Sequence, residues 1–311
     1  AALYEEANNA IKALVPMVPI AHRAAADAAS VDAEGAHVRP FGAVKGSIVD
    51  TPDDTFVFVG RAEPISLYCG DETDGETLRT CGQIVESLLA YELESGDTVG
   101  ALATSCDGNE DATVWTCALR EGVKFHDGSD LTAEDVLFSY ERASSDEADT
   151  SSWFSPVSDV KIVDDYTIDF MTKAPNPLFP DSIANFMIMD KGWAEANDSV
   201  RPARDAENTA TRTANGTGAF ILASRDPGVR TTLAPFGSWW DKLESNISEA
   251  VFTPIGEAST GMAALLSGEI DFIAPIPLQD VPRMKQTAGF TVHEGVEARV
   301  LMFGFGHEAD V

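Results

Sequence analysis

His126, Asp127 and Asp130 carry the donor types of a metal centre or an acid–base pair, and they fall within five residues of one another. Only five histidines occur (His22, His37, His126, His293 and His307), and no two sit at ligand spacing on one helix. Lys124–Gly128 therefore reads as a structural turn, with Gly128 taking a positive φ and Asp127 bonding nearby backbone. Asp107-x-Asn109-x-Asp111 imitates the opening of a calcium loop. Its sixth position is Ala112 rather than Gly and its twelfth is Ala118 rather than Glu, which argues against calcium. Gly216-x-Gly218 lacks a third glycine and precedes a strand, so it is a tight turn and not a phosphate cradle. No nucleophile elbow or P-loop appears. The expectation is a protein with no catalytic residues, no metal and no cofactor.

Four cysteines form two close pairs, Cys69/Cys81 and Cys106/Cys117, at spacings unlike a CxxC zinc or redox motif. Cys106 and Cys117 flank a polar turn and could face each other across a hairpin. Cys69 lies in a loop and Cys81 near a helix start, a geometry open to a short staple. Two structural disulfides would fit an oxidising compartment, and four free buried thiols are the other reading.

The elements that position these residues centre on Val114–Arg142. It reads as a strand (Val114–Leu119), the Lys124–Gly128 turn, and a helix opened by the capping box Thr132-x-x-Asp135 ahead of Val136, Phe138 and Tyr140. Around it the periodicity predicts a helix over Leu3–Leu14 stopped by Pro16, and an extended piece at Val15–Ala21. A loop or linker spans Gly42–Asp54, followed by a strand at Thr55–Val59. Leu78, Cys81, Ile84, Val85, Leu88 and Leu89 predict an amphipathic helix. Strands near Val157–Val163 and Tyr166–Met171 turn at Asp164-Asp165, and a helix is expected around Pro180–Met187. Asp190–Ala214 reads as a polar surface excursion. Strands follow at Gly218–Ser224, Arg230–Ala234 and Ala250–Pro254, then a helix at Gly256–Leu266 stopped by Gly268, and buried strands at Asp271–Ala274 and Val300–Phe305.

The order of strand, KFHDG turn and capped helix closely resembles the signature of the bacterial extracellular solute-binding proteins of the dipeptide/oligopeptide/nickel family, the capture subunits of ABC importers. Gly216-Thr217-Gly218, Trp239-Trp240, Phe252-Thr253-Pro254-Ile255 and Leu265–Asp271 recur in that family in the same order, so the resemblance covers Asp54–Gly306. It implies an α/β fold: a mixed sheet flanked by helices, the first lobe of a two-lobed class II (Venus-flytrap) periplasmic binding protein, with a subdomain at about 82–177. Residues 1–43 are similar to the family's C-terminal return segment, 44–54 read as a linker and 55–311 as the N-terminal lobe. The second lobe is then absent and the order permuted. Ligand contacts implied by the resemblance are Leu67, Tyr68, Cys69 and Gly70 in the loop after the Thr55–Val59 strand, and Trp153 and Phe154 after the signature helix. Aromatic side chains there offer large area and a face for cations.

The resemblance implies non-catalytic binding of a small solute such as a peptide, an ABC permease as partner, and an extracytoplasmic location. A single lobe is expected to bind weakly or not at all. An interaction module using the exposed inter-lobe face, or a secreted enzyme, are the competing classes. Charge is consistent with the first: 51 acidic against 21 basic residues give −30, which repels nucleic-acid phosphate and anionic membrane and suits an acidic, well-solvated surface. No apolar run is long enough for a bilayer and no leader opens the sequence, so a mature or trimmed form without membrane insertion is expected.

Overall fold

The run Thr55–Val59 alternates two phenylalanines with two valines, and period two sends Phe56 and Phe58 to one face of a strand and Val57 and Val59 to the other. The computed structural model describes residues 9, 17–36, 45–92, 97–203 and 206–304, with side chains described at 9, 26–36, 45–92, 97–203 and 206–295. In it this run is β2 (Thr55–Gly60), the central strand of a seven-stranded mixed sheet.

The other strands of this sheet are β1 (Met17–Ser30), β9 (Phe220–Asp226), β10 (Arg230–Pro235), β11 (Glu249–Pro254), β12 (Phe272–Ile273) and β13 (Phe290–Gly304), in the order β13-β1-β12-β2-β11-β10-β9. β11 and β12 run parallel to β2, with Phe252 beside Phe58 and Ile273 beside Val59. The flanking strands are antiparallel. One face buries Phe56, Phe58, Phe220, Phe252 and Phe272 with Leu67, Tyr68 and Ile84. Phe58 meets Phe252 edge-on with ring centres 5.4 Å apart. The opposite face buries Val59 and Ile273 under Met262 and Leu265 of a helix at Ala258–Ser267. Gly268 ends that helix in the left-handed conformation, φ 77°, as its sequence position predicts.

A second core belongs to a subdomain. β5 (Ala103–Gly108), β6 (Val114–Leu119), β8 (Thr167–Thr172) and β7 (Val157–Asp164) make a four-stranded antiparallel sheet, and β3 (Leu89–Tyr91) and β4 (Thr98–Gly100) a separate pair. The signature helix, Ala133–Ala143, packs on the sheet through Val136, and its capping box is formed in both directions by Thr132 and Asp135. Both cysteine pairs are disulfides. Cys106–Cys117 joins residues directly opposite on β5 and β6, and Cys69–Cys81 ties a loop to a helix.

Several expectations change. The helix predicted over Leu78–Leu89 is α1 (Gly75–Cys81) only; it stops at Gly82, and Leu89 already belongs to β3. Its apolar spacing is kept, but tertiary hydrogen bonds win over helix continuation. The Gln83 and Ile84 carbonyls accept from Phe220 N and Gly218 N, at 3.1 and 2.8 Å. The approach is so close that a Cβ on Gly216 would lie 2.0 Å from the Ile84 carbonyl oxygen. Asp190–Ala214 is not a loose excursion: it holds helices at Lys191–Ala196 and Thr209–Arg212, with Asp190, Ala194, Ser199 and Ala210 buried. Of the short extended piece expected at Val15–Ala21, residues 15 and 16 lie outside the described residues and the rest opens a fourteen-residue strand, Met17–Ser30, which pairs with β13 from Met17↔Gly304 to Ser30↔Phe290. The strand expected at Val300–Phe305 is, as far as Gly304, the end of that same β13, and residue 305 lies outside the described residues. The Leu3–Leu14 helix lies outside the described residues apart from residue 9, as does part of the Gly42–Asp54 loop.

Gly216→Ala is expected to lower stability by about 1–3 kcal/mol, through the overpacked contact with Ile84, whereas Gly237→Ala, whose Cβ enters open space, should change it by less than about 0.5 kcal/mol. Urea unfolding of both variants checks this, and equal midpoints would show that the Gly216 contact does not constrain the turn.

Candidate functional site

In an open α/β sheet the carboxyl ends of parallel strands leave a crevice in which ligands bind. Here β2, β11 and β12 all end on one edge, and the chain continues from them as Arg61–Asp71, Ile255–Glu257 and Ala274–Leu278. The β9–β10 turn arrives at the same edge, because Gly228 N donates to Glu63 Oε2 at 2.8 Å. Ile65, Val229 and Leu278 are 62%, 54% and 58% exposed there, so the rim is apolar in places where a soluble surface would be polar.

The Arg61–Asp71 loop is fixed along its length. Arg225 on β9 donates twice to Glu63 Oε1, at 3.0 and 2.7 Å, and also to the Pro64 and Thr211 carbonyls, at 3.0 and 2.6 Å. Ile65 N bonds Thr77 Oγ1 at 2.9 Å and Tyr68 N bonds Ser66 Oγ at 3.0 Å. Arg79, in the last turn of α1, donates to the Ala274 carbonyl at 2.8 Å and so ties that helix to the end of β12.

Deeper in, Arg142 of the signature helix organises the end of the loop. It pairs with Asp71, donates to the Ser199 and Arg201 carbonyls at 3.1 Å each, and sits 4.9 Å from the centre of the Tyr68 ring. Burial pushes the Asp71 carboxyl up from its ordinary range, more than the Arg142 guanidinium lowers it. Burial likewise drives the Tyr68 phenol well above its usual value, and its hydroxyl donates to the Met187 carbonyl at 2.9 Å. Glu72 is also raised, first by burial and then by repulsion from Asp149, Asp71 and Asp74, since several carboxyl groups crowd this end of the loop.

The structure brings the two sequence-predicted segments together. Thr150 Oγ1 donates to the Gly70 carbonyl at 3.1 Å and Asp149 N to the Asp71 carbonyl at 3.0 Å, one turn ahead of Trp153. Within them Leu67, Tyr68, Cys69 and Phe154 are 0%, 2%, 1% and 4% exposed, so their side chains belong to the interior. Gly70 is buried too, and a Cβ there would run into the Tyr68 ring. Of the six, Trp153 alone keeps part of its surface.

Sequence reasoning missed Glu63, Arg225 and Arg142. Nothing local to Arg142 marks a partner 71 residues away. Among the described residues no group of three or more His, Cys, Asp or Glu could hold a metal ion. His126 is accounted for structurally: its Nε2 lies 3.0 Å from the Gly218 carbonyl, and burial lowers its pKa.

The fold thus sets a braced, partly apolar loop at the ends of three parallel strands. The family model for bacterial extracellular solute-binding proteins, family 5 Middle, matches residues 97–311, and the chain belongs to that family. It is 26% identical over 256 residues to the probable D,D-dipeptide-binding periplasmic protein DdpA of Escherichia coli, an alignment covering 80% of this chain and 48% of that protein. It is 28% identical over 263 residues to the dipeptide-binding protein of Escherichia coli, covering 77% and 48%. The periplasmic binding protein DppA from Helicobacter pylori in complex with the peptide STSA superposes with TM-score 0.67 at 25% identity, over 75% of this chain and 49% of that one. The chain thus spans about half the length of the curated relatives it matches. These relatives are named as binding proteins and not as enzymes.

Replacing Arg142 by Met would leave the Asp71 carboxyl buried without its counter-charge. We expect a loss of about 3–5 kcal/mol in urea unfolding, with most of it recovered when Asp71→Leu is added. Additive losses in the double variant would show that the two residues do not act as a pair.

Proposed function

We propose that this chain forms one wall of the solute cleft of an extracytoplasmic ABC-importer binding protein, and that its solute is peptide-like. The observation that supports the reading is the ending of three parallel strands beside the clamped Arg61–Asp71 loop, in a chain of the solute-binding family. Contact with solute comes from Trp153 and from loop backbone near Gly70, while Leu67, Tyr68, Cys69 and Phe154 hold that surface in place from beneath. The carboxylates around Glu72 suit a solute carrying an ammonium group.

In a hinge-closing protein, affinity comes from contacts made to both walls in the shut state. With one wall only, binding is weak, at about the millimolar level. We also read Met17–Ser30 as the family's return segment placed ahead of the lobe; its antiparallel pairing with both β12 and β13 supports this order.

Isothermal titration with short unmodified peptides checks the proposal. Weak binding is expected, and Trp153→Ala should weaken it further by about tenfold at a temperature well below the variant's own melting point, since the ring also packs against the subdomain core. Tight binding untouched by Trp153→Ala would place the solute elsewhere. The exposed Ile65, Val229 and Leu278 favour one other reading, a protein-docking face. Sedimentation velocity separates the two, since a docking face of this kind gives a concentration-dependent dimer that Leu278→Lys abolishes, whereas a solute wall stays monomeric.

A further inference from the structure

The main core and the subdomain core meet at one carboxylate that the solute wall does not use. Glu86 lies between α1 and β3. Its Oε1 accepts the Trp239 indole N–H at 3.2 Å and its Oε2 accepts the Trp240 indole N–H at 2.9 Å. Trp239 packs against the main core and Trp240 against the subdomain core, their ring centres 6.0 Å apart. The Arg120 guanidinium, at the end of β6, covers the Trp240 ring at 4.1 Å. The Glu86 carbonyl also accepts from Ile188 N at 2.9 Å, so its backbone is held as firmly as its side chain.

The groups facing this carboxylate come from four places. Thr217 lies beside it on the glycine turn, and Lys45 attracts it from the start of the 46–48 helical turn. Arg120 stands behind the Trp240 ring. His126 lies across the turn, against the Gly218 carbonyl, and burial keeps its imidazole neutral to lower pH than usual.

We infer that Glu86 is a proton-responsive clasp between the two cores, whose charge state sets the strength of both indole hydrogen bonds. An ionised carboxylate offers both oxygens as acceptors, whereas protonation turns one oxygen into a hydroxyl and weakens the bond it receives. Burial outweighs the two indole donors and raises this carboxyl from 4.5 to about 7, so the clasp changes state near neutrality. The sign for stability follows from a raised acid: the folded chain holds the proton more tightly than the unfolded chain. The stability it adds is complete below the ordinary glutamate range and is lost as pH rises through about 7. The indole bonds strengthen over the same window, but less than burial of the charge costs.

The chain has five tryptophans, so its indole N–H groups give a countable set of ¹⁵N resonances. In the full chain titrated from about pH 5 to about pH 9, two indole resonances should move together with a shared midpoint near neutrality. Glu86→Gln should abolish that movement and flatten the fall in melting temperature over the same range. If Glu86→Gln does not fold, Trp240→Phe provides the count: one resonance titrates instead of two. The inference is overturned if no indole resonance titrates, if the pair still titrates in Glu86→Gln, or if two still titrate in Trp240→Phe.

Discussion

Two backbone hydrogen bonds at a glycine turn hold this lobe in its arrangement. Gly218 N and Phe220 N donate to the Ile84 and Gln83 carbonyls, and on the other side of the turn His126 N donates to the Gly216 carbonyl at 2.8 Å. Three stretches far apart in sequence are joined within a few ångströms: the end of α1, the KFHDG turn and the start of β9. No side chain larger than hydrogen fits at Gly216 or Gly218 without displacing backbone. The turn takes up the Gln83 and Ile84 carbonyls just past the end of α1, and Phe236, ahead of the two tryptophans, is tied to it through its N–H to the Ala219 carbonyl at 2.8 Å.

The candidate site inherits its stiffness from the same kind of long-range bonding. Its loop is pinned by Arg225 from β9, by Arg142 from the subdomain, and by the Cys69–Cys81 disulfide from α1. A loop pinned this way has little conformational freedom left to lose in a binding event. The arrangement also explains why buried residues dominate the sequence signature of the mouth. Tyr68 supports the surface through its hydrogen bond to Met187 and its place beside Arg142, without presenting its ring to the cleft.

Local rules were enough for much of this. The capping box at Thr132, the left-handed stop at Gly268, the Asp164–Asp165 hairpin and both cysteine pairs were readable from neighbours within a dozen residues, because the forces that decide them act over that range. The predicted Leu78–Leu89 helix went wrong where a partner more than 130 residues away supplied better hydrogen bonds than the next helical turn. The Asp190–Ala214 stretch looked solvated because its polar residues are bonded internally; Asp190 accepts from Asn215 and Ser129, at 2.9 and 2.7 Å, and composition alone does not distinguish that from contact with water. In the site, residue types and approximate location were legible. Which side chains turn inward was not, since the alternation of a loop is set by what packs beneath it.

The place of β1 has a kinetic meaning. It spans residues 17–30, yet both of its neighbours lie more than 200 residues further along: Ala28 sits beside Ile273 and Ser30 beside Phe290. Until those late strands exist, residues 17–30 have nothing in this sheet to pair with, and closing so wide a loop is entropically slow. The sheet is therefore finished at this seam, and the edge beside β2 stays open until residues 272–304 are laid against β1.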